Sequence, residues 1–581
     1  MLPLNNIFSF LNRKERKSFY LLFFLTLVNT LLEVLGISAV IPLVSLTLKQ
    51  DLSLFENFFF YEYVLNFSMK DNFMIYSFLA VLSIFIFKNT FIIFYNWYFT
   101  KYYNLVGKRL SDDICKIYIN LTYRDYLELK SSKPIYQCTE GVEIFKQQLY
   151  SLISFILELL VAVSFIIFLI FLNPTVSISI IFLISILSLS VFVFFFKKNK
   201  YWGEQVKKEY GSRIDTLNQI FFSFKDIKIF NSENFFLNKF KKHNFGLNMS
   251  QYKNKFLITV PKPYFEMILI GILILSLYFF LEIISLPSEE VVLILSVYAV
   301  AFFRLYPSMT KLSQSIQKFN FGRSTLISLH KILDKKVILR TNEFLKKKSF
   351  INEKIQKIEL KNINFSYSKI NMNMELKNVN CNFKKNIFYG IMGETGAGKS
   401  TLIDIISGLL VPTSGDFIIN DKVIDTLGNS WLKKISYVPQ NISLTNDSLE
   451  KNIALGVENN FINEEKIKKI IKIAELENFS ERYNNRSSLT LGERGLQISG
   501  GEKQRIGIAR ALYFDKEIFI FDEVTNALDL KTETKIIKNL KENLINKLVL
   551  FVSHKKNTLN HCDQILEVKD NTIKHLNGKI T

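Results

Sequence analysis

The sequence predicts a polytopic α-helical membrane domain followed by a soluble α/β domain that contains a P-loop. Three features lead to this fold class. The long apolar runs all lie before residue 320, the pattern after about residue 355 changes to short apolar segments between turns and polar helices, and a glycine-rich loop lies in that second part. We therefore predict a membrane domain over residues 1–330, a lysine-rich linker over 331–354 and a soluble domain over 355–581.

Six apolar runs are each long enough to cross about 30 Å of hydrocarbon. They lie near residues 18–48, 72–100, 148–172, 175–196, 262–283 and 289–312. The basic residues ahead of the first run are not followed by a small-residue cleavage site, so we expect this run to remain as the first span. An even number of spans places both ends of the membrane domain on the same side.

Positive charge concentrates in two of the segments between the spans. Residues 101–147 carry eight Lys and Arg and residues 197–262 carry fourteen, whereas residues 173–174 and 284–288 carry none. The positive-inside rule therefore predicts that both basic segments and both termini face the cytoplasm. The formal net charge of +21 is explained by this distribution, and we predict no nucleic-acid partner.

Two other parts of the membrane domain are unusual. Residues 50–70 are aromatic-rich but too charged to span, which fits either an interfacial amphipathic helix or an ordered loop packed on its own spans. The two long basic segments are patterned like helices, and Asn173-Pro174 is a tight hairpin signal. Spans two to five are therefore predicted to continue well into the cytoplasm.

Several ionisable residues fall inside apolar runs, where charge is expensive and each such residue is a candidate for function. Lys88 and Arg304 would lie toward the cytoplasmic leaflet. For them we favour side chains that reach the inner interface or pair with acids such as Glu266 over a role in lining a basic cavity at that level. Glu33 and Glu158 lie deeper, and for them we favour a hydrogen bond to a neighbouring helix over a cavity-lining role.

A P-loop pattern lies at residues 393–400 of the predicted soluble domain. It follows the strand-like segment 388–392 and opens a helix at Thr401, which is the context that the motif requires. Its glycines let backbone N–H groups approach phosphates, Lys399 would neutralise the β and γ oxygens, and Ser400 would ligate Mg²⁺. We predict that ATP and Mg²⁺ are bound here by Gly393, Glu394, Thr395, Gly396, Ala397, Gly398, Lys399, Ser400 and Thr401.

Two carboxylates follow a second buried strand, at residues 518–521. Ligands bind at the carboxyl ends of the strands in α/β sheets, so Asp522 and Glu523 are predicted to lie near the P-loop. Asp522 would hold the Mg²⁺ shell, and Glu523 would orient or deprotonate the water that attacks the γ-phosphate.

Further motifs in the same order make the chain resemble the ATP-binding cassette (ABC) family. Residues 498–505 are similar to the ABC signature, in which Ser499, Gly500, Gly501 and Glu502 would bind ATP held by the opposite subunit's P-loop. The resemblance implies that Tyr367 stacks on adenine, that Gln440 links Mg²⁺ to the membrane domain, and that His554 is the switch histidine at the γ-phosphate. Asn526-Ala527-Leu528-Asp529 resembles the D-loop.

Two positions of the signature depart from the family pattern. Ile498 stands where Leu is usual, and Glu502 stands where Gln is usual. We expect competent ATP binding, and the negative charge that Glu502 adds near the phosphates bears on the rate of turnover. Asn526 in place of the usual Ser of the D-loop is a milder change.

Six spans ahead of one cassette resemble the exporter branch of the ABC family, and residues 490–495 look like that branch's X-loop. This likeness implies that residues 118–129 and 219–230 form docking helices for the cassette. One P-loop and one signature per chain imply that two copies are needed for two ATP sites. A homodimer satisfies this geometry, and so does a heterodimer with a related half-transporter.

For the substrate, the chain is most similar to bacterial lipid-linked oligosaccharide flippases of protein glycosylation. The similarity lies in residues 31–42 of the first span, residues 298–308 of the sixth, and the helix-like outer loop. It implies an inner-membrane exporter of a polyprenyl-diphosphate glycan, with Lys88 and Arg304 as the candidates that bind the diphosphate. The alternatives are a lipid A or multidrug exporter, and a non-transporting ATPase that regulates a partner.

Overall fold

The computed structural model describes residues 4–38, 73–172, 174–283, 288–346, 353–367, 374–424, 428–484, 491 and 498–576. The chain divides into two compact units. The first, the membrane unit, consists of Met1–Asn120 and Leu129–Val337, and the second, the cassette unit, consists of Leu121–Glu128 and Ile338–Thr581. The division after Val337 falls inside the predicted linker, whose described residues continue a helix as far as Lys346.

The membrane unit is built from helices. They are α1 (Leu4–Phe10), α2 (Arg13–Ser38), α3 (Phe73–Ile119), α5 (Ser132–Cys138), α6 (Glu140–Leu172), α7 (Pro174–Phe222), α8 (Phe224–Ile229), α9 (Glu233–Thr259), α10 (Pro261–Tyr278), a π-helical turn (Phe279–Ile283) and α11 (Ser288–Lys346), with α4 (Tyr123–Leu127) assigned to the cassette unit. The 47 residues of α3 span about 70 Å, which is more than twice the thickness of the hydrocarbon. The predicted helical continuation of the spans into the basic segments is therefore confirmed.

Four helical segments among the described residues are long and apolar enough to cross a membrane. They are Arg13–Gly36, Phe78–Ile119, Ser132–Ile167 and Glu233–Tyr278, and they coincide with the first, second, third and fifth predicted spans. The fourth and sixth predicted spans lie on α7 and α11, where most side chains fall outside the described residues. The outer segment 50–70 also lies outside them.

The cassette unit contains two sheets. Its strands are β1 (Lys357–Phe365), β2 (Leu376–Lys384), β3 (Phe388–Gly393), β4 (Ser414–Ile419), β5 (Lys422–Val423), β6 (Ile435–Val438), β7 (Ile518–Asp522), β8 (Leu548–Val552), β9 (Gln564–Lys569) and β10 (Thr572–Leu576). One sheet has the order β2-β1-β4-β5 and is antiparallel. The other has the order β10-β9-β3-β8-β7-β6, and only its β10–β9 pair is antiparallel.

Helices surround these sheets. They are α12 (Lys399–Ile406), α13 (Asn429–Leu432), α14 (Leu449–Ile453), a 3₁₀ turn (Asn459–Phe461), α15 (Glu464–Ile473), α16 (Glu477–Asn484), α17 (Gly500–Phe514), α18 (Leu530–Asn543) and α19 (Lys556–Asn560). Strands β7 and β8 are buried along almost their whole length, as expected of parallel strands covered on both faces. The carboxyl ends of β3, β6, β7 and β8 consequently meet at one edge of the sheet.

The first predicted docking helix is found as α4, which packs within the cassette unit. Tyr123 is partly buried against the core between the two sheets, and the Arg124 guanidinium donates to the Tyr367 carbonyl at 2.7 Å. The second predicted docking segment is also helical. Phe224, Ile229 and Phe230, in and just after α8, are more than half exposed within the membrane unit.

Candidate nucleotide-binding site

The P-loop turns between β3 and α12 through glycines in the left-handed region of backbone space. Gly396 has φ 86° and Gly398 has φ 99°, a conformation that costs glycine little. A Cβ at Gly398 would lie only 2.8 Å from the Glu375 carbonyl oxygen, so a larger residue there would force the backbone apart. The tight turn places the first N–H groups of α12 at the loop, where an anion can bind them.

Lys399 lies across this loop. Its Nζ donates to the Gly393 carbonyl at 2.6 Å and to the Glu394 carbonyl at 2.9 Å. Burial lowers the pKa of Lys399, while the nearby Glu523 and Asp522 carboxylates oppose that change. The ammonium is thus held by two carbonyl oxygens at the place where a phosphate would bind.

Asp522 ends β7 and accepts a hydrogen bond from the Tyr437 hydroxyl, 3.1 Å from its Oδ2. Burial raises the pKa of Asp522, and the adjacent Glu523 adds to the increase. Burial and Asp522 also raise the pKa of Asp404 to about 6. A buried carboxylate with two acidic neighbours is an environment that a divalent cation would relieve.

Glu523 is the most densely contacted carboxylate of the site. Its Oε2 accepts from the Gln440 amide at 2.6 Å and from the Asn526 amide at 2.9 Å, and its Oε1 lies 3.2 Å from His554 Nε2. Its backbone has φ 51°, which is unfavourable for a residue other than glycine. Such strain is typical of functional sites, where the surrounding contacts hold it in place.

The donor set fits Mg²⁺ and a nucleoside triphosphate. Ser400 is exposed at the start of α12, and Asp522 lies at the end of β7, so the two residues offer a hydroxyl and a carboxylate oxygen as ligands. Hard divalent cations prefer carboxylate and hydroxyl oxygens of this kind. Among the sequence-predicted residues, the structure brings together the P-loop, Gln440, Asp522, Glu523 and His554.

Tyr367 follows β1 and is 38% exposed, as a stacking surface must be. Its ring meets Phe365 edge-on at 4.9 Å, and its hydroxyl lies 3.3 Å from the Thr401 hydroxyl. Together with the contact from Arg124 to its carbonyl, these interactions connect Tyr367 to the P-loop helix and to α4.

The signature residues form the start of α17. Ser499 is the N-cap and makes a capping box with Glu502, each side chain bonded to the other residue's backbone N–H. Ile498 packs against the helical core, as the usual leucine would. A Cβ at Gly501 would lie 3.0 Å from the Ala527 carbonyl, so this glycine allows α17 to approach the D-loop.

Three further residues support the site and were not assigned roles from sequence. Tyr437 bonds to Asp522, and Gln504 donates to the Glu523 carbonyl at 3.4 Å and accepts from the Ala527 N–H at 3.0 Å. Lys555 donates to the carbonyls of Thr525 and Leu528 at 2.6 and 3.2 Å. Gln504 lies within the signature segment 498–505 and Lys555 directly follows His554, and these positions are the sequence signal that points to them.

The predicted membrane residues are less fully described. Lys88 is half-buried, with its Nζ 4.8 Å from the Phe85 ring centroid and its side chain against Gly36. Arg304 lies on α11, and its side chain falls outside the described residues. Glu158 is 1% exposed and bonds to Ser308 at 2.7 Å and to Lys311 at 2.6 Å. The predicted hydrogen bond between Glu158 and a neighbouring helix is therefore confirmed, and Glu33 also has an interacting partner.

Comparison with known proteins identifies the class of the fold. Residues 376–526 match the sequence model of the ABC transporter family. A solved bacterial Atm1-family ABC exporter with ATP bound superposes with a TM-score of 0.74, at 18% identity, covering 96% of this chain and 94% of the other. The chain thus has the fold of an ABC exporter half, with a helical membrane domain and an ABC cassette.

Curated relatives share mainly the cassette. A provisionally named export ATP-binding/permease protein of Rickettsia typhi is 34% identical over 41% of this chain and 40% of its own length. An ATP-dependent lipid A-core flippase of Pectobacterium atrosepticum is 31% identical over 52% of this chain and 51% of its own length. The aligned part of the chain therefore spans about two fifths to half of these relatives.

Proposed function

We propose that this chain is one half of an ATP-driven exporter that uses Mg²⁺-dependent ATP hydrolysis to move a lipid-linked substrate across a bacterial inner membrane. The observation that carries the proposal is the convergence at Glu523. A carboxylate held by Gln440, Asn526 and His554, next to the P-loop lysine, is placed to act on a water beside the γ-phosphate.

Each residue of the site has a separate task in this proposal. Lys399 would exchange its two carbonyl partners for phosphate oxygens, which gives it the same number of hydrogen bonds with a stronger, charged acceptor. Mg²⁺, held by Ser400 and Asp522 with Gln440 nearby, would neutralise the developing charge. His554 would contact the γ-phosphate, and the contact of its Nε2 with Glu523 Oε1 would keep Glu523 in position.

We also propose that two copies assemble. Each chain supplies one P-loop and one signature, so that Ser499, Gly500 and Gly501 of one copy would complete the ATP site of the other. The exposed apolar side chains of α8 provide a surface that the cassette of a second copy would cover. A related half-transporter in place of the second copy is the alternative, and cross-linking of the purified protein distinguishes the two.

For the cargo, we propose a polyprenyl-diphosphate oligosaccharide, with both termini of the transporter in the cytoplasm. The support is the resemblance of the first and sixth spans to flippases of that class, together with Lys88 and Arg304 as cations for a diphosphate. The similarity to a lipid A-core flippase favours lipid A as the second candidate. Both are anionic lipids with a large polar headgroup.

The test uses the purified full chain in proteoliposomes with either lipid. The assay follows how much of a short polyprenyl-diphosphate oligosaccharide remains accessible on the cassette side of the membrane. An ATP-dependent loss of this accessible lipid that is absent in Glu523→Gln would support the proposed cargo. Movement of lipid A alone would keep the exporter and replace the cargo. Wild-type protein that hydrolyses no ATP would refute the proposal as a whole.

A further inference from the structure

Glu502 carries a charge that the family pattern lacks, and the structure shows which groups contact its carboxylate. Glu502 Oε2 accepts hydrogen bonds from the Ser499 N–H and the Ser499 hydroxyl, both at 2.9 Å. The Ser499 oxygen in turn accepts from the Glu502 N–H at 3.2 Å. One carboxylate oxygen of Glu502 is therefore occupied by the signature serine.

The other carboxylate oxygen forms an ion pair with Arg482, which lies on α16. The Arg482 Nε donates to the Asn478 carbonyl at 3.3 Å, and its guanidinium lies 6.0 Å from the Phe479 ring centroid. These contacts with its own helix orient the guanidinium toward Glu502. The Glu502 side chain is 11% exposed, whereas that of Arg482 is 69% exposed.

The charge on Glu502 is not removed by protonation. Burial alone would raise its pKa, but the hydrogen bonds from Ser499 and the charge and hydrogen bond of Arg482 outweigh burial and lower it. The carboxylate therefore stays ionised at neutral pH. Its position in the first turn of α17 favours that ionised form as well.

We propose that Arg482 is a positioning residue for the signature, which neutralises Glu502 and holds its carboxylate on Ser499 so that a glutamate-containing signature can face the phosphates of ATP. The inference rests on the proposed function, because it requires the signature to meet a nucleotide. An ionised Glu502 without its cation would repel a polyphosphate across a short distance. With Arg482 in place, the pair presents the neutral balance that a glutamine would give.

This role predicts a coupling between the two positions that a merely structural arginine would not show. In the purified full chain, Arg482→Ala should raise KM for MgATP about tenfold at low salt, with kcat within about twofold. The increase should shrink at about 0.5 M salt, where exposed charges are screened. Arg482→Lys should restore most of the affinity, because it restores the charge.

The deciding comparison repeats Arg482→Ala in a Glu502→Gln background. There the arginine has no carboxylate to neutralise, so its loss should change KM by less than about twofold from the value that Glu502→Gln sets. Lys469→Ala, which removes an exposed charge on α15, is the matched control and should leave KM unchanged. The melting temperature should fall only slightly in Arg482→Ala, because the Ser499 donors still bond to Glu502 and the Arg482 side chain is mostly exposed.

Two results would overturn the inference: no change of KM in Arg482→Ala, or the same change in both backgrounds. Thermal stabilisation by ATP measures binding without hydrolysis. The ATP concentration that gives half-maximal stabilisation therefore tests this inference separately from the proposed function. If the wild type hydrolyses no ATP but Arg482→Ala still shifts that concentration in a Glu502-dependent way, the exporter proposal fails and the pairing stands. If ATP does not stabilise the wild type at all, both fail.

Discussion

Replacing Asp404 with Asn should stabilise the nucleotide-free cassette at neutral pH. Asp404 lies on the helix that follows the P-loop, where burial and the Asp522 carboxylate raise its pKa from 3.8 to about 6. A carboxyl group with a raised pKa binds its proton more tightly in the folded state than in the unfolded state. Stability therefore falls as the pH rises from about 3.8 to about 6, and the full penalty applies above that range.

The size of this penalty follows from the pKa difference. About two pH units correspond to roughly 3 kcal/mol as an upper limit. Asp404 is only partly buried, so solvent screens the charge and we expect about 1 kcal/mol. For a domain of this size, that stabilisation would raise the melting temperature by roughly 2–4 °C.

The assay is thermal unfolding of the purified full chain without nucleotide. The gain from Asp404→Asn should be full at about pH 7.5, about half as large near pH 5, and should vanish below about pH 3.8. Asp416→Asn on β4 removes an exposed carboxylate and serves as the control, with little change at any pH. A lower melting temperature in Asp404→Asn, or a gain that does not depend on pH, would refute the reasoning.

Three other predictions concern separate parts of the chain. Glu523→Gln should lower ATPase turnover by about 10²–10⁴-fold while ATP still stabilises the protein thermally; turnover at the wild-type rate would exclude this residue as the base. Lys311→Met should destabilise the membrane unit by roughly 3 kcal/mol, because it removes the cation that pairs with the buried Glu158 carboxylate. Glu158→Gln should cost only about 1 kcal/mol, because the Lys311 that it leaves is 54% exposed to solvent. Equal melting temperatures of the two variants would contradict this prediction. Arg124→Ala, which frees the Tyr367 carbonyl, should weaken ATP binding about threefold or less and reduce substrate stimulation of the ATPase more than its basal rate.

The arrangement of the cassette was predictable because it depends on where strands end. Parallel strands that share a sheet bring their carboxyl ends to one edge, so the P-loop after β3 and the two carboxylates at the end of β7 lie at the same edge. The sequence shows both strands as apolar runs of the right length. The membrane spans were predictable from length alone, since a run of about 20 apolar residues is typical of a membrane-spanning helix.

Side-chain partners across long sequence separations were not predictable in this way. Gln440 and Glu523 are 83 residues apart, and Glu158 and Lys311 are 153 residues apart. No local periodicity relates such pairs, because their approach depends on how helices and strands pack. The sequence indicated that Glu158 needed a hydrogen bond, but only the packing of α6 against α11 shows that Ser308 and Lys311 supply its partners.

Glu502 shows how this limit affects the interpretation of a motif. From the sequence, a carboxylate in the signature adds negative charge near phosphates, which bears on the rate of turnover. In the structure the Glu502 carboxylate accepts hydrogen bonds from Ser499 and from Arg482, which lies 20 residues before Glu502 on a different helix. A departure from a family pattern therefore has to be judged together with the residue that contacts it. If Arg482 balances Glu502 as proposed, the effect of that negative charge appears in the Arg482→Ala variant, as a raised KM for MgATP, and not in the natural chain.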